Sequence, residues 1–310
     1  MKVFHGLPTD EGLSFEPNVM AIGNFDGLHL GHQKLLQNLK DDSRRFKLPT
    51  LVLTFYPHPV EVIRPSVRLA RLMTTEEKLE ALENFGIDQV FILKFNQALA
   101  LMEASDFFHS ILIRRLHARS IRVGDNFCFG RGRKGDIEVM RKLSDDAKTQ
   151  LQVEPALGVD QDRVSSTRIR KLIETGKVRD AISLLGRPYE LRGQVVRGDQ
   201  RGAEIGFRTA NLRVSHEKLL PARGVYAVYA VWQKQRFAAV VNIGCRPTFG
   251  GSDETVIEVH LLDLEATLYD EFIAIELVDF LREEHRFESV SALTEQIGKD
   301  IILARKCLKT

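Results

Sequence analysis

The sequence predicts two domains: an α/β domain built on a doubly wound parallel sheet, then a small antiparallel β-barrel closed by a C-terminal helix. Three observations predict this. In the first part of the chain, apolar runs of strand length alternate with stretches whose apolar residues recur at helical spacing. Farther on, the runs are short and rich in β-branched or aromatic residues, with turns between them. Between the two textures, Leu184-Leu185-Gly186-Arg187-Pro188-Tyr189 ends a helix with glycine and then proline, which divides the chain into 1–186 and 187–310.

The first elements carry the chemistry. Val19-Met20-Ala21-Ile22 reads as a short buried strand, and Gln33 to Lys40 as a helix. The stretch joining them, Gly23-Asn24-Phe25-Asp26-Gly27-Leu28-His29-Leu30-Gly31-His32, is a strand-to-helix turn. In an open α/β sheet the carboxyl end of a strand beside a helix N-terminus binds ligands, because free N–H groups and the helix dipole favour phosphate there. Gly23, Gly27 and Gly31 let the backbone come close, and Phe25 and Asp26 belong to the same candidate nucleotide site. His29 and His32 are three residues apart, so both imidazoles project to one side and can donate to one group of phosphate oxygens. The pattern is neither the Walker loop nor Gly-x-Gly-x-x-Gly; it is the His-x-Gly-His signature of nucleotidyltransferases. A surface helix turn or half of a metal site also produces His-x-x-His, but the upstream strand and the Asn-Phe-Asp-Gly lead weigh against both.

The following elements continue the alternation. Thr50 to Phe55 is a second buried strand, and Tyr56-Pro57-His58-Pro59 gives it a rigid, non-helical exit. Glu76 to Asn84 reads as a helix, Asp88 to Lys94 as a strand, Ala104 to His117 as a helix, and Ser120 to Val123 as a strand. Gly124-Asp125-Asn126-Phe127-Cys128-Phe129-Gly130 then offers glycines, aromatics and an amide for a planar ring with a polar edge; a glycine-rich turn with two core phenylalanines is the alternative. Leu151 to Val159 reads as a strand leading into Ser165-Ser166-Thr167-Arg168. That run is either a capped helix with a solvated basic face or, at a sheet exit, a phosphate site in which Arg168 helps hold the departing pyrophosphate.

Beyond residue 186, strands are expected at Leu191 to Val196, Tyr226 to Trp232, Arg236 to Asn242, Thr255 to Leu262 and Phe272 to Phe280, with a helix from about Val290 to Lys306. The loop Gly198 to Asn211 contains Gly198, Arg201 and Gly206 as candidate nucleotide contacts. Thr209 with Asn211 can place two neutral oxygens on a hard Mg²⁺ ion. An ordinary hairpin loop fits the same pattern. Glu258 sits on a strand, where a lone carboxylate commonly just faces solvent.

Composition narrows the class of partner. A 310-residue chain with 44% apolar and 28% charged residues and a net charge of +2 can bury two cores, and gives no support to nucleic acid as a main partner. No stretch reads as a signal peptide or membrane span, so a cytoplasmic protein is expected. Cys128, Cys245 and Cys307 are widely separated and lack metal-ligand spacing, which suggests structural thiols.

Taken together, the motifs resemble those of the bifunctional bacterial riboflavin kinase and FAD synthetase family, and the likeness covers nearly the whole chain. The first half resembles an FMN adenylyltransferase module through Gly23 to His32, Thr54 to Pro59, Val123 to Gly130 and Ser165 to Arg170. The second resembles a riboflavin kinase through Gly198 to Asn211, Gly224 to Ala227, Asn242 to Thr248 and Glu258 to Leu261. The resemblance implies that His29, His32, Ser165, Ser166, Thr167 and Arg168 serve ATP. It places Asn126 and the corner Phe55, Pro57 and His58 near the flavin, Thr209 and Asn211 on Mg²⁺, and makes Glu258 the base. Riboflavin, FMN, FAD and ATP are the small molecules implied; oligomeric state stays open. Three residues depart from the family pattern: Ala203 replaces an arginine, Arg208 a proline, and Asp270 stands where Leu-Tyr-Gly is common.

The two reactions ask for different chemistry. An alcohol is a poor nucleophile, so riboflavin needs a carboxylate base such as Glu258. FMN already carries a largely dianionic phosphate, with a second pKa of about 6, so positioning and charge neutralisation suffice. Two narrower readings follow from the departures and from binding alone: an FMN adenylyltransferase whose kinase activity is weak or lost, and a flavin or nucleotide sensor without turnover.

Overall fold

The computed structural model describes residues 1–6, 15–159, 162–197, 206–247, 253–264, 266 and 268–309. Gly198, Arg201, Ala203 and Thr248 lie outside the described residues. The chain separates into two compact units, Met1–Ser165 and Ser166–Thr310.

The first unit contains β1 (Lys2–Gly6), β2 (Asn18–Ile22), α1 (Leu30–Phe46), β3 (Thr50–Tyr56), α2 (Pro59–Ile63), α3 (Thr75–Asn84), β4 (Gln89–Lys94), α4 (Gln97–Ala100), α5 (Ala104–Asp106), β5 (Ala118–Gly124), α6 (Ile137–Asp146), β6 (Gln150–Glu154), β7 (Gly158–Val159) and β8 (Asp162–Arg163). Six strands form one parallel sheet in the order β1-β4-β3-β2-β5-β6. Every residue of β2 is buried, as its continuous apolar run requires of a central parallel strand. Its side chains alternate: Met20 and Ile22 enter the core with Phe107, Phe108 and Leu112, whereas Val19 and Ala21 face Leu35, Leu36 and Leu39 of α1. The chain leaves β2 toward β3 on one side and returns as β5 on the other. The carboxyl ends of β2 and β5 therefore flank a topological switch point, where an open sheet leaves a crevice.

Two expected elements change, and one strand is new. The helix expected over 104–117 is α-helical only over Ala104–Asp106; Phe107–Arg115 has wider π-type turns, ending with Leu116 N–H donating to Ile111 O at 2.9 Å. The wider turn lets the neighbouring pairs Phe107-Phe108 and Ile111-Leu112 share one buried face. The strand expected over 151–159 stops at Glu154, and Gly158–Val159 pairs instead with Asp162–Arg163 as a two-stranded ribbon. Lys2–Gly6, for which the sequence reading gave no element, pairs with β4 as an edge strand.

The second unit begins with α7 (Ser166–Glu174) and α8 (Val178–Leu185), the latter ended by Gly186 in the left-handed conformation. β9 (Glu190–Val196), β10 (Ala210–Val214), β11 (Gly224–Trp232), β12 (Gln235–Pro247), β13 (Asp253–Leu261) and β14 (Phe272–Arg282) close an antiparallel barrel in the order β10-β13-β12-β11-β14-β9. Leu191, Val195, Leu212, Tyr226, Val228, Val241, Ile257, Val259 and Leu277 are buried at alternating positions along these strands, as a filled small barrel requires. α9 (Val290–Leu308) covers part of the outside through Ala304 and Leu308 against Val225, Ala227 and Val240.

Asp300 fixes that helix. It is 2% exposed; Arg282 donates from Nε to Oδ1 at 2.9 Å and Oδ2 at 3.1 Å and from a terminal guanidinium nitrogen to Oδ2 at 2.8 Å, and Gln296 Nε2 donates to Oδ1 at 2.9 Å. Removing one partner of such a pair strands a buried charge. Asp300→Ala is expected to destabilise the second unit by about 3 kcal/mol, read from denaturant unfolding; a loss below about 1 kcal/mol would mean that Arg282 finds water instead. Asp270 has φ 67°, a left-handed position that aspartate tolerates better than most residues.

Candidate active sites

The turn after β2 is shaped by backbone strain and by one histidine. Phe25 (φ 49°), Gly27 (φ 81°) and Leu28 (φ 41°) all adopt left-handed conformations, and Phe25 and Leu28 hold theirs by burying their side chains. His29 is the N-cap of α1: its Nδ1 accepts the His32 N–H at 3.3 Å. An accepting Nδ1 carries no proton, so the hydrogen of the neutral ring lies on Nε2, which becomes a donor. A side chain at Gly31 would touch the His29 ring at 3.2 Å, so glycine leaves that ring its place. The His29 and His32 rings stack at 3.6 Å with 16° between their planes.

Both histidines are neutral at physiological pH. Burial lowers the His29 pKa to about 4; Asp26 opposes the shift and Arg163 adds to it. Burial also drives His32 well below the usual imidazole value, helped by His29 and Lys78. The histidines can therefore donate hydrogen bonds to phosphate but bring no positive charge to it. Asp26, 4% exposed, accepts the N–H groups of Leu72 and Met73, both at 3.1 Å, and so ties the turn to the segment entering α3.

The neighbouring strand exits flank this turn. At the end of β3, Phe55 packs edge-on to Phe95, the Tyr56–Pro57 peptide is cis, and His58 caps α2 by accepting the Val60 N–H at 3.3 Å on Nδ1. At the end of β5, across the switch point, Asn126 is exposed while Phe127 stacks on Phe129 at 5.7 Å. Asp125 accepts the Ala156 N–H at 3.0 Å and a hydrogen bond from Arg163, fastening this loop to the β7–β8 ribbon. Gly23, Phe25, Asp26, His29, Gly31 and His32 thus form one turn, with Phe55, Pro57 and His58 at one neighbouring exit and Asn126 at the other. Ser165 is the last residue of the first unit; Ser166, Thr167 and Arg168 make the first turn of α7 in the second.

In the barrel, strand register assembles the polar groups. Asn211 on β10 lies directly opposite Glu258 on β13, and Glu258 lies directly opposite Asn242 on β12. Leu212, Val259 and Val241 point inward, so Asn211, Glu258 and Asn242 form a row on the outer face. Gly206 has φ 87°, and Thr209 immediately precedes β10. His260 Nδ1 donates to the Arg208 carbonyl at 2.8 Å, and its ring meets Phe207 edge-on at 5.6 Å, which anchors the backbone just before Thr209. The arginine that replaces proline thus sits where the backbone is already held by a carbonyl bond. Asn211 is on a strand rather than in the loop expected for it. A side chain at Gly244 would run into the Glu284 carboxylate, which lies beside Asn242.

Comparison with known proteins matches both halves. An FAD synthetase family model covers residues 13–168, and a riboflavin kinase model covers 185–308. The bifunctional riboflavin kinase/FMN adenylyltransferase of Escherichia coli K12 is 37% identical over 99% of this chain and 97% of its own length. The chain belongs to the bifunctional riboflavin kinase/FMN adenylyltransferase family. The corresponding Haemophilus influenzae member of this family is 35% identical over 92% of each chain. A solved chain from Streptococcus pneumoniae, described as a macrolide-efflux protein, is also similar: TM-score 0.90 and 30% identity over 98% of this chain and 99% of that one. Among the described residues, no helix of this family member is long and apolar enough to cross a membrane.

The FAD synthetase match contains the strained turn and both flanking exits, and the riboflavin kinase match contains the Asn211–Glu258–Asn242 row. Sequence reasoning singled out His32 in the first unit but not two polar residues near it, Asn24 and Lys78. Asn24 Oδ1 and His32 Nδ1 are buried without a hydrogen-bond partner, and Lys78 on α3 sends its ammonium to 3.4 Å from Thr54 Oγ1. A lysine in the second turn of a polar helix has no sequence signal separating it from a solvated one.

Proposed function

We propose that the chain performs both reactions of its family, each in its own part: FMN adenylylation within 1–186 and riboflavin phosphorylation within 187–310. The end of the FAD synthetase match at 168 and the start of the riboflavin kinase match at 185 support this division. The observation that carries the reading is the register that sets Glu258 opposite Asn211 on the barrel's outer face. It pairs a carboxylate base with an amide oxygen donor, which a sensor without turnover does not need.

In the kinase reaction Glu258 accepts the proton of the riboflavin hydroxyl as its oxygen attacks the γ-phosphorus of ATP, and the bond to ADP breaks. Thr209 and Asn211 are neutral oxygen donors and fit a hard cation that keeps most of its contacts with phosphate and water. Mg²⁺ held there by Thr209 and Asn211 would supply charge neutralisation at the transferring phosphoryl group. In the adenylyl transfer an FMN phosphate oxygen attacks the α-phosphorus of ATP and pyrophosphate leaves. His29 donates from Nε2 to phosphate oxygen, and His32 stacks against it. Phe55, Pro57, His58 and Asn126 receive the flavin, while Gly198, Arg201 and Gly206 serve the kinase nucleotide.

The full chain supplied with riboflavin, ATP and Mg²⁺ is expected to form FMN and then FAD with pyrophosphate. FAD from supplied FMN but no FMN from riboflavin would mean that the departures at 203 and 208 have cost the kinase. Flavin binding without pyrophosphate release would overturn the enzyme reading in favour of a sensor.

A further inference from the structure

The two neutral histidines leave the adenylyl-transfer turn without a cation of its own, although an anionic phosphate must approach an anionic triphosphate there. We propose that the Lys78 ammonium supplies that charge, binding a substrate phosphate oxygen beneath the Gly23–His32 turn. This rests on the assignment of adenylyl transfer to the first unit.

The placement follows from α3. Thr74 and Glu77 form a capping box, with the Glu77 N–H donating to Thr74 Oγ1 at 3.2 Å and the Thr74 N–H to Glu77 Oε2 at 2.9 Å. Helical side chains lean toward the N-terminus, so Lys78 runs back toward the sheet. Its Nζ reaches Thr54 Oγ1, which itself donates to the Asn24 carbonyl at 3.3 Å. Lys78, Thr54, Asn24 and His32 are thus neighbours at the carboxyl ends of β2 and β3. Two of them present the orphaned buried atoms, Asn24 Oδ1 and His32 Nδ1. Unpaired buried polar atoms beside a cation mark a place made for a polar ligand.

Among the described residues of this unit, the two buried arginines are already compensated. Arg122 is paired with Asp42 and Glu154, and Arg71 with Glu61 at 2.9 Å and with the face of Tyr56. Lys78 has no carboxylate within ion-pair distance among the described residues. The groups acting on it are Asp26, whose carboxylate already accepts the Leu72 and Met73 N–H groups, Arg71, which opposes its charge, and the neutral His32. Burial lowers its pKa to about 8, so the ammonium is held with little solvation and gains when an anion arrives.

The test compares the full-length wild type with Lys78→Met and Lys78→Arg. ATP and FMN are titrated separately by calorimetry at pH 8 in two buffers of different ionisation enthalpy, and adenylylation kinetics are measured alongside. With a pKa of about 8, Nζ is half protonated at that pH, so the wild type should take up about half a proton on binding. Uptake with ATP alone assigns the contact to the triphosphate; uptake with FMN alone assigns it to the flavin phosphate. Lys78→Met should lose the uptake and about 10–100-fold in kcat/KM for adenylylation, with riboflavin phosphorylation unchanged. Lys78→Arg should retain most of the rate and show no uptake, and it serves where the methionine variant does not fold. Equal proton uptake and equal kcat/KM in all three proteins would overturn the proposal and leave Lys78 a packing residue. A wild type that makes no FAD would instead overturn the assignment of the first unit.

Discussion

Glu258→Gln is expected to slow riboflavin phosphorylation by about 10²–10⁴-fold while leaving the conversion of supplied FMN to FAD unchanged. The substitution preserves size, strand propensity and the polar row with Asn211 and Asn242, and removes only the ability to accept a proton. The loss should therefore fall on kcat with little change in the KM for riboflavin. Product analysis by chromatography after parallel incubations with riboflavin and with FMN separates the two activities. Residual phosphorylation within a factor of about two of wild type would make Glu258 an ordinary solvent-facing residue of the barrel surface.

His29→Asn should give the converse result. Asparagine is a good N-cap, so its side-chain oxygen can replace Nδ1 as acceptor for the His32 N–H and keep α1 started. What it removes is the Nε2–H donor and the ring stacked on His32. FAD formation from FMN is expected to fall by about 10²–10³-fold, with riboflavin phosphorylation intact and stability at pH 8 little altered. His29→Ala should lose the same activity and about 1 kcal/mol of stability as well, because the cap is gone.

The same histidine sets a pH dependence of stability. In the unfolded chain His29 takes up a proton below about pH 6.5, whereas the folded protein resists protonation down to about 4. Between these values the unfolded form binds more protons, so stability falls as pH is lowered from 6.5 to 4, by about 3 kcal/mol for this group. His32 acts in the same direction. Denaturant unfolding of wild type and His29→Asn at pH 7, 5.5 and 4.5 should show a smaller loss in the variant. Parallel losses would place the histidine in a more solvated setting than its burial indicates.

Much of the architecture is written locally. Val19–Ile22 is apolar at every position because a central parallel strand is buried on both faces, and the sequence shows that without any knowledge of its neighbours. The switch from helix-strand alternation to short β-branched runs likewise announces a barrel, since each texture follows from the periodicity of its own backbone. The His-x-Gly-His turn, the serine-rich start of α7 and the Gly186 helix stop are legible for the same reason: caps and turns are satisfied by residues three or four positions away.

The remaining features depend on residues far apart in the chain. Glu258 reads from its own strand as a solvent-facing carboxylate; its place opposite Asn211, 47 positions earlier, comes from register, because strand pairing is not encoded in either strand alone. The charge state of His29 depends on burial by the finished fold, which makes it a neutral donor. Lys78 gained its interest only when α3 packed its second turn against the end of β3. The sequence by itself thus determined the two folds, the positions of the turns and the residue types at the candidate sites, since these are set by local backbone preference and hydrophobic period. Tertiary structure alone decided which side chains meet, which protons they carry and which cation is left without a carboxylate partner among the described residues, because those properties arise from desolvation and long-range contact.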